Sequence, residues 1–206
     1  MLDSFTNLSP VLQAFIACLF TWSITALGAS IVFFFKKVNK TLMDALLGFA
    51  AGVMVAASFF SLISPALEMA EELNMTSWIV ISLGFLSGGV LLFIGDKVYD
   101  YLDKKRKDEN SSKVKRCFML ISSITLHNIP EGMAVGVAFG SLAYSLTGST
   151  LASALTLALG IGLQNFPEGS AVSLPLRREG YTRSKAFFYG QLSGVVEPIA
   201  AVIGAL

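Results

Sequence analysis

Residues 124–135 read ITLHNIPEGMAV and residues 161–172 read IGLQNFPEGSAV. Eight of the twelve positions are identical at a fixed offset of 37, and the shared residues include the polar Asn and Glu. Each copy sits inside an apolar stretch long enough to cross a bilayer as a helix, which takes about 20 residues. A carboxylate in such a place costs a few kcal/mol, so it normally faces a cavity, a partner or an ion. The fold and the function both follow from what surrounds these two segments.

The 206 residues are 54% hydrophobic and only 14% charged, against about a quarter charged in an ordinary soluble domain. That excludes a water-soluble enzyme and a disordered chain. The 15 basic and 14 acidic residues leave a net charge of +1, which gives no reason to expect a nucleic-acid partner. Cys18 and Cys117 lie far apart in apolar runs, so neither a disulfide framework nor a cysteine zinc site is expected. The fold class is all-α, a polytopic transmembrane helix bundle. Six spans are expected, at about 10–35, 42–66, 78–95, 117–144, 150–176 and from 184 to the end. Ser9 and Pro10 form a start signal for the first, and Thr41 and Asp44 have capping-box spacing at the second. The leading MLDSFTNLS carries no basic residue, so it is not read as a signal peptide.

All 15 basic residues fall within residues 36–40, 97–116 and 177–185, on alternate connections. By the positive-inside rule these three segments are cytoplasmic and the N-terminus is outside. A multi-pass protein of the cell (inner) membrane is expected, with residues 97–116 as a solvated cytoplasmic loop. On this reading span four runs outward and span five inward, so the repeated motif is inverted about an axis in the membrane plane. Inverted repeats around a polar site mark secondary transporters. Glycine pairs four apart, at 48 and 52, 84 and 88, 132, 136 and 140, and 190 and 194, read as close-packing helix faces.

Glu131, Glu168 and Glu197 lie in spans four, five and six, with no basic residue inside any span to pair them. His127 and Glu131 are four apart and share a helical face, as do Gln164 and Glu168; Asn128 and Asn165 lie next to that face. Pro130, Pro167 and Pro198 each lack an N–H and loosen the helix beside a carboxylate. One imidazole, two or three carboxylates and several amide oxygens suit a borderline divalent ion such as Zn²⁺, Cd²⁺, Fe²⁺ or Mn²⁺. Such ligands bind metal only when deprotonated, so affinity should depend on pH. No catalytic cofactor is expected. Two other classes share some features: a proton or monovalent-cation channel built on the three Glu residues, and a membrane-embedded metal hydrolase. The hydrolase has little support, with one His and neither HExxH nor G-x-S-x-G present.

HNIPEG at 127–132, QNFPEG at 164–169, SGVVEP at 193–198 and GFAAGVMVAASFFSLISPALE at 48–68 resemble the ZIP (Zrt-, Irt-like protein) family of divalent metal transporters, in its GufA-like branch. The resemblance covers the whole chain as a single ZIP-type transmembrane domain. It implies transport of zinc and related ions toward the cytoplasm through a binuclear intramembrane site. His127, Glu131, Gln164 and Glu168 would hold one ion. Asn128, Asn165 and Glu197 would join a second, with Glu131 and Glu168 bridging. Many members carry a second histidine where this chain has Gln164. The family has eight spans, so the natural protein is expected to continue past the sixth. The partners implied are divalent metal ions and the lipid bilayer, with a homodimer as a candidate assembly.

Overall fold

A computed structural model describes residues 5–34, 40–103, 111–144 and 149–206. The basic segment at 36–40 and the centre of the 97–116 segment thus fall mostly outside the described residues. Those described form helices α1 (Pro10–Phe34), α2 (Lys40–Ala57), a π-helical stretch (Ser58–Ile63), α3 (Ser64–Glu72), α4 (Ser77–Asp103), α5 (Ser111–Gly140), α6 (Leu151–Arg178), α7 (Arg183–Leu192) and α8 (Val196–Ala205), with a 3₁₀ turn at Ser141–Tyr144. No strand occurs among the described residues. Three helical stretches among them are long and apolar enough to cross a membrane: Pro10–Phe34, Ser77–Gly95 and Arg183–Ala205. At 28 residues or more, α5 and α6 are also long enough, but the motif makes them less apolar.

Local chemistry sets the helix ends. Ser9 starts α1 as its sequence suggests, with its hydroxyl 3.4 Å from the Leu12 N–H. Thr150 and Ser153 form a reciprocal capping box on α6. The α6–α7 turn uses Gly180 at φ 97°, and the α3–α4 turn uses Asn74 at φ 54°; both residue types tolerate that left-handed geometry. Thr41 is not a cap, because α2 already includes Lys40. The second span is also not one regular helix. It widens into the π-helical stretch just before Pro65, where the missing proline N–H disturbs the regular ladder.

Two close helix pairs carry the centre of the molecule. A Cβ placed on Gly169 of α6 would strike the carbonyl oxygen of Thr25 in α1, and one on Gly28 of α1 would strike that of Phe166 in α6. Likewise a Cβ on Gly132 or Gly136 of α5 would strike the carbonyl oxygens of Glu197 or Ala201 in α8. Both pairs run parallel: Thr21 meets Asn165 and Thr25 meets Gly169 along the first, and Glu197 meets Gly132 and Ala201 meets Gly136 along the second. Between the pairs, α5 and α6 cross antiparallel: His127 faces Glu168, and Glu131 faces Gln164. The two pairs therefore repeat each other about the axis that relates the motifs. Gly132 meets Glu197 as Gly169 meets Thr25. Asn128 donates to the Ser193 carbonyl at 3.0 Å as Asn165 donates to that of Thr21 at 3.3 Å. Span one is thus the counterpart of span six.

The polar motif level is a layer between two apolar ones. On one side Ala14, Cys18, Val135, Phe139, Leu157 and Ile161 are buried together. On the other, Val32, Cys117, Val172, Leu176 and Ala186 are buried together. Burial of this apolar area at each end keeps the central layer in register. α2 packs along α6, and α7 against α1 and α6, while α3 and α4 lie at the margin of this block. Gly48, Gly52, Gly84 and Gly88 have nothing among the described residues within 4 Å of a would-be Cβ, so against those residues they do not pack as their spacing suggests. On α4, Phe85, Leu86 and Leu91 are exposed, and its closest glycine, Gly95, reaches only the Leu126 side chain at 3.7 Å.

Candidate metal centre

The helix period brings His127 and Glu131 onto one face of α5, and Gln164 and Glu168 onto one face of α6. At the antiparallel crossing these four side chains converge. His127 Nε2 lies 3.3 Å from Glu131 Oε1 and 3.8 Å from Glu168 Oε1. One ligand atom from each of the three residues lies within 4.8 Å of the other two. Gln164 Nε2 donates a short hydrogen bond to Glu131 Oε1. The two carboxylates are nearly buried, at 12% and 8% exposure, whereas the His127 side chain is 41% exposed. The cluster is therefore open on its imidazole side.

Hydrogen bonding fixes which atoms face inward. Asn128 spends its N–H on the Ser193 carbonyl, Gln164 on Glu131, and Asn165 on Glu197 and the Thr21 carbonyl. Only the nitrogen end of a side-chain amide can donate to a carboxylate or a carbonyl, so each amide is oriented with its oxygen away from that contact. Buried atoms without a hydrogen-bond partner then include His127 Nε2, Asn128 Oδ1, Glu131 Oε2, Gln164 Oε1, Asn165 Oδ1 and Glu168 Oε2. One comes from each variable or shared polar position of the repeat. Buried polar atoms are rarely left so, and a bound cation would satisfy a group of lone-pair donors such as this. This chain has no Lys or Arg between residues 117 and 176 to serve as that cation.

Glu197 differs from the other two carboxylates. It is fully buried, and both its oxygens are taken. Asn165 Nδ2 lies 3.0 Å from Oε1 and 2.9 Å from Oε2, and Thr21 donates to Oε2. Its position follows from a break in the regular α-helical ladder of span six, where residues 193–195 form turns between α7 and α8 and the backbone bonds tighten to three residues apart. By contrast α5 and α6 stay helical through Pro130 and Pro167, and α6 also through Pro175. The carbonyls there are all satisfied: Gln191 accepts from the Gly194 N–H at 3.2 Å and from Trp22 Nε1 at 2.8 Å, Ser193 from Asn128, and Gly194 from the Glu197 N–H at 3.1 Å. The carbonyl of Gly194, to which Pro198 has no N–H to offer, is thus occupied.

All seven residues singled out in the sequence lie in this layer, four at the crossing and Asn128, Asn165 and Glu197 beside it. Thr21, Trp22, Thr25 and Ser193 complete it and were not singled out. A signal for them exists: Thr21 and Thr25 on α1 are four apart, as are Ser193 and Glu197 on their counterpart. It is faint, because a threonine in an apolar helix commonly bonds its own backbone, as Thr25 does to the Thr21 carbonyl at 3.3 Å.

Comparison with known proteins agrees with this architecture. The family model described as "ZIP Zinc transporter" matches residues 8–117 and 103–206. Zinc transporter ZIP11 of Xenopus tropicalis is 36% identical over an alignment covering all of this chain and 82% of that protein. Zinc transporter GufA of Myxococcus xanthus is 32% identical over 93% of this chain and 74% of its own length. Zinc transporter ZIPB of Bordetella bronchiseptica is 38% identical over 87% of this chain and 58% of its own. The hydrolase reading falls with these matches, and the apolar helices are those of a membrane protein. With its inverted HNIPEG and QNFPEG helices crossing at a cluster of lone-pair donors, this chain belongs to the ZIP zinc transporter family, transporters of metal ions and not enzymes.

Proposed function

We propose that the protein carries divalent metal ions, zinc foremost, across the cell (inner) membrane toward the cytoplasm. The observation that carries this reading is the set of six buried, unpartnered lone-pair atoms on His127, Asn128, Glu131, Gln164, Asn165 and Glu168. His127, Glu131, Gln164 and Glu168 hold the first ion. Asn128, Asn165 and Glu197 form the second place, with Glu131 and Glu168 shared between the two. A single imidazole among oxygens favours Zn²⁺, and admits Cd²⁺, Fe²⁺ and Mn²⁺, over soft Cu⁺. In this orientation the N-terminus is outside, and residues 36–40, 97–116 and 177–185 are cytoplasmic, where their basic residues belong.

The chain's own groups do three things for such an ion. Glu131 and Glu168 offset its charge in a layer that apolar residues close off from both ends. The amide oxygens replace part of its hydration shell without adding charge. His127, the exposed member, lies at the opening of the cluster. The test is uptake by the full-length protein in liposomes, followed with a zinc-sensitive dye inside. Zn²⁺ should enter saturably, Cd²⁺ should compete, and Mg²⁺, which prefers all-oxygen octahedral sites, should not. Flux of H⁺ or Na⁺ with no divalent flux would overturn the reading in favour of a channel.

A further inference from the structure

The three membrane carboxylates are not equivalent. Glu131 and Glu168 each keep Oε2 unpartnered, whereas Glu197 keeps neither oxygen. Asn165 Nδ2 sits nearly equidistant from the two oxygens of Glu197, at 3.0 and 2.9 Å. That is the position, astride the carboxylate, that a cation bound by both oxygens would take. The same nitrogen also reaches the Thr21 carbonyl at 3.3 Å, so three acceptors on α1 and α8 hold it in place. The counterpart amide, Asn128, gives its N–H to a backbone carbonyl and restrains no carboxylate. The two halves of the repeat therefore share an asparagine but use it differently.

We infer that the Asn165 side-chain amide occupies the second ion's place at Glu197, so that a second divalent ion binds only by displacing that amide. This rests on the metal-site reading above and adds an order to it. The first ion meets unpartnered atoms at His127, Glu131 and Glu168. The second meets a carboxylate already neutralised in part by N–H and O–H donors from Asn165 and Thr21. Turning the amide over would break its three contacts and bring Oδ1, now unpartnered, toward the same ion as Glu197. Asn165 is thus both a competitor of the second ion and, once turned, one of its ligands.

The test is Zn²⁺ binding to the full-length protein in detergent by equilibrium dialysis, with bound metal counted by mass spectrometry. Wild type should take one ion tightly and a second weakly. Asn165→Ala removes the competing N–H, with its contacts to a charged group, at the loss of one neutral ligand oxygen, and should tighten the second step by up to about tenfold. Asn165→Asp, which keeps the shape but replaces the N–H donor with a carboxylate oxygen, should tighten it further. Asn128→Ala removes an amide oxygen without releasing a carboxylate, and should weaken the second step. If Asn165→Ala fails to fold, the Asp variant decides alone. A second step unchanged or weakened in Asn165→Asp would overturn the inference. His127→Ala separates the two failures: if the first ion binds undiminished without His127, the metal-site reading itself is wrong.

Discussion

Alanine at Glu131 or at Glu168 should reduce Zn²⁺ uptake in liposomes by at least about 100-fold. Removing even an outer partner of a metal ligand typically costs about 10–100-fold, and each of these residues is placed at the centre of the cluster. Glu131 lies 3.3 Å from His127 and accepts the Gln164 N–H, so its loss also leaves two other members without their fixed orientation. Glu168 lies 3.8 Å from His127 on the facing helix. Truncating either removes half the negative charge at the crossing, in a layer where nothing else in α5 or α6 can replace it. The comparison is Glu68→Ala, in an exposed position on α3, which should transport as wild type. Stable, monodisperse Glu131→Ala protein that retains full uptake would remove this site from the pathway. Equal uptake by wild type and Glu168→Ala would do the same for the shared role of the two carboxylates.

Much of this layer is legible in the sequence, and the reason is physical. A glutamate in an apolar helix is conspicuous because burying it is costly, and a duplicated motif around two of them identifies the facing helices. The helix period by itself then places His127 with Glu131 and Gln164 with Glu168. Glu197 is visible on the same ground. What is not legible is the side of each amide that faces inward. That depends on the Ser193 carbonyl and on Glu197, which are brought close only by the break in span six. The break itself is hidden because Ser193, Gly194 and Val195 are ordinary residues in a membrane helix; its stability comes from Trp22 and Asn128 on other helices. Thr21 escapes notice for a similar reason. Its hydroxyl lies 3.1 Å from its own helix carbonyl at Cys18, and only the tertiary fold gives it Glu197. Glycine spacing proves the least discriminating signal. Gly132 and Gly136 and Gly84 and Gly88 share one spacing, and one pair touches a neighbouring backbone while the other meets nothing among the described residues.

That last contrast has the second large consequence. Gly169→Ala and Gly132→Ala should lose the folded protein, while Gly84→Ala and Gly48→Ala should keep it. A Cβ on Gly169 would lie 2.8 Å from the Ala29 nitrogen and 3.0 Å from the Thr25 carbonyl carbon, besides striking the Thr25 oxygen. One on Gly132 would lie 2.8 Å from the Glu197 Cα and 3.0 Å from the Ala200 Cβ. These are mostly backbone contacts, so no side-chain rotation relieves them, and α1 must part from α6 or α8 from α5. Overfilling an ordinary core with a methylene costs about 1–3 kcal/mol; parting two long helices should exceed that. Among the described residues Gly84 and Gly48 meet nothing within 4 Å, and there alanine is the better helix former by about 0.8–1 kcal/mol. Thermal unfolding in detergent, read with the monodisperse fraction after purification, should separate the two groups by many degrees. The same parting would pull Glu197 away from Asn165 and Gly132 away from the break in span six. Any Gly132→Ala protein recovered should therefore bind the second ion abnormally while Gly84→Ala binds as wild type. If all four variants melt together, the two parallel pairs are not the rigid frame of the metal layer.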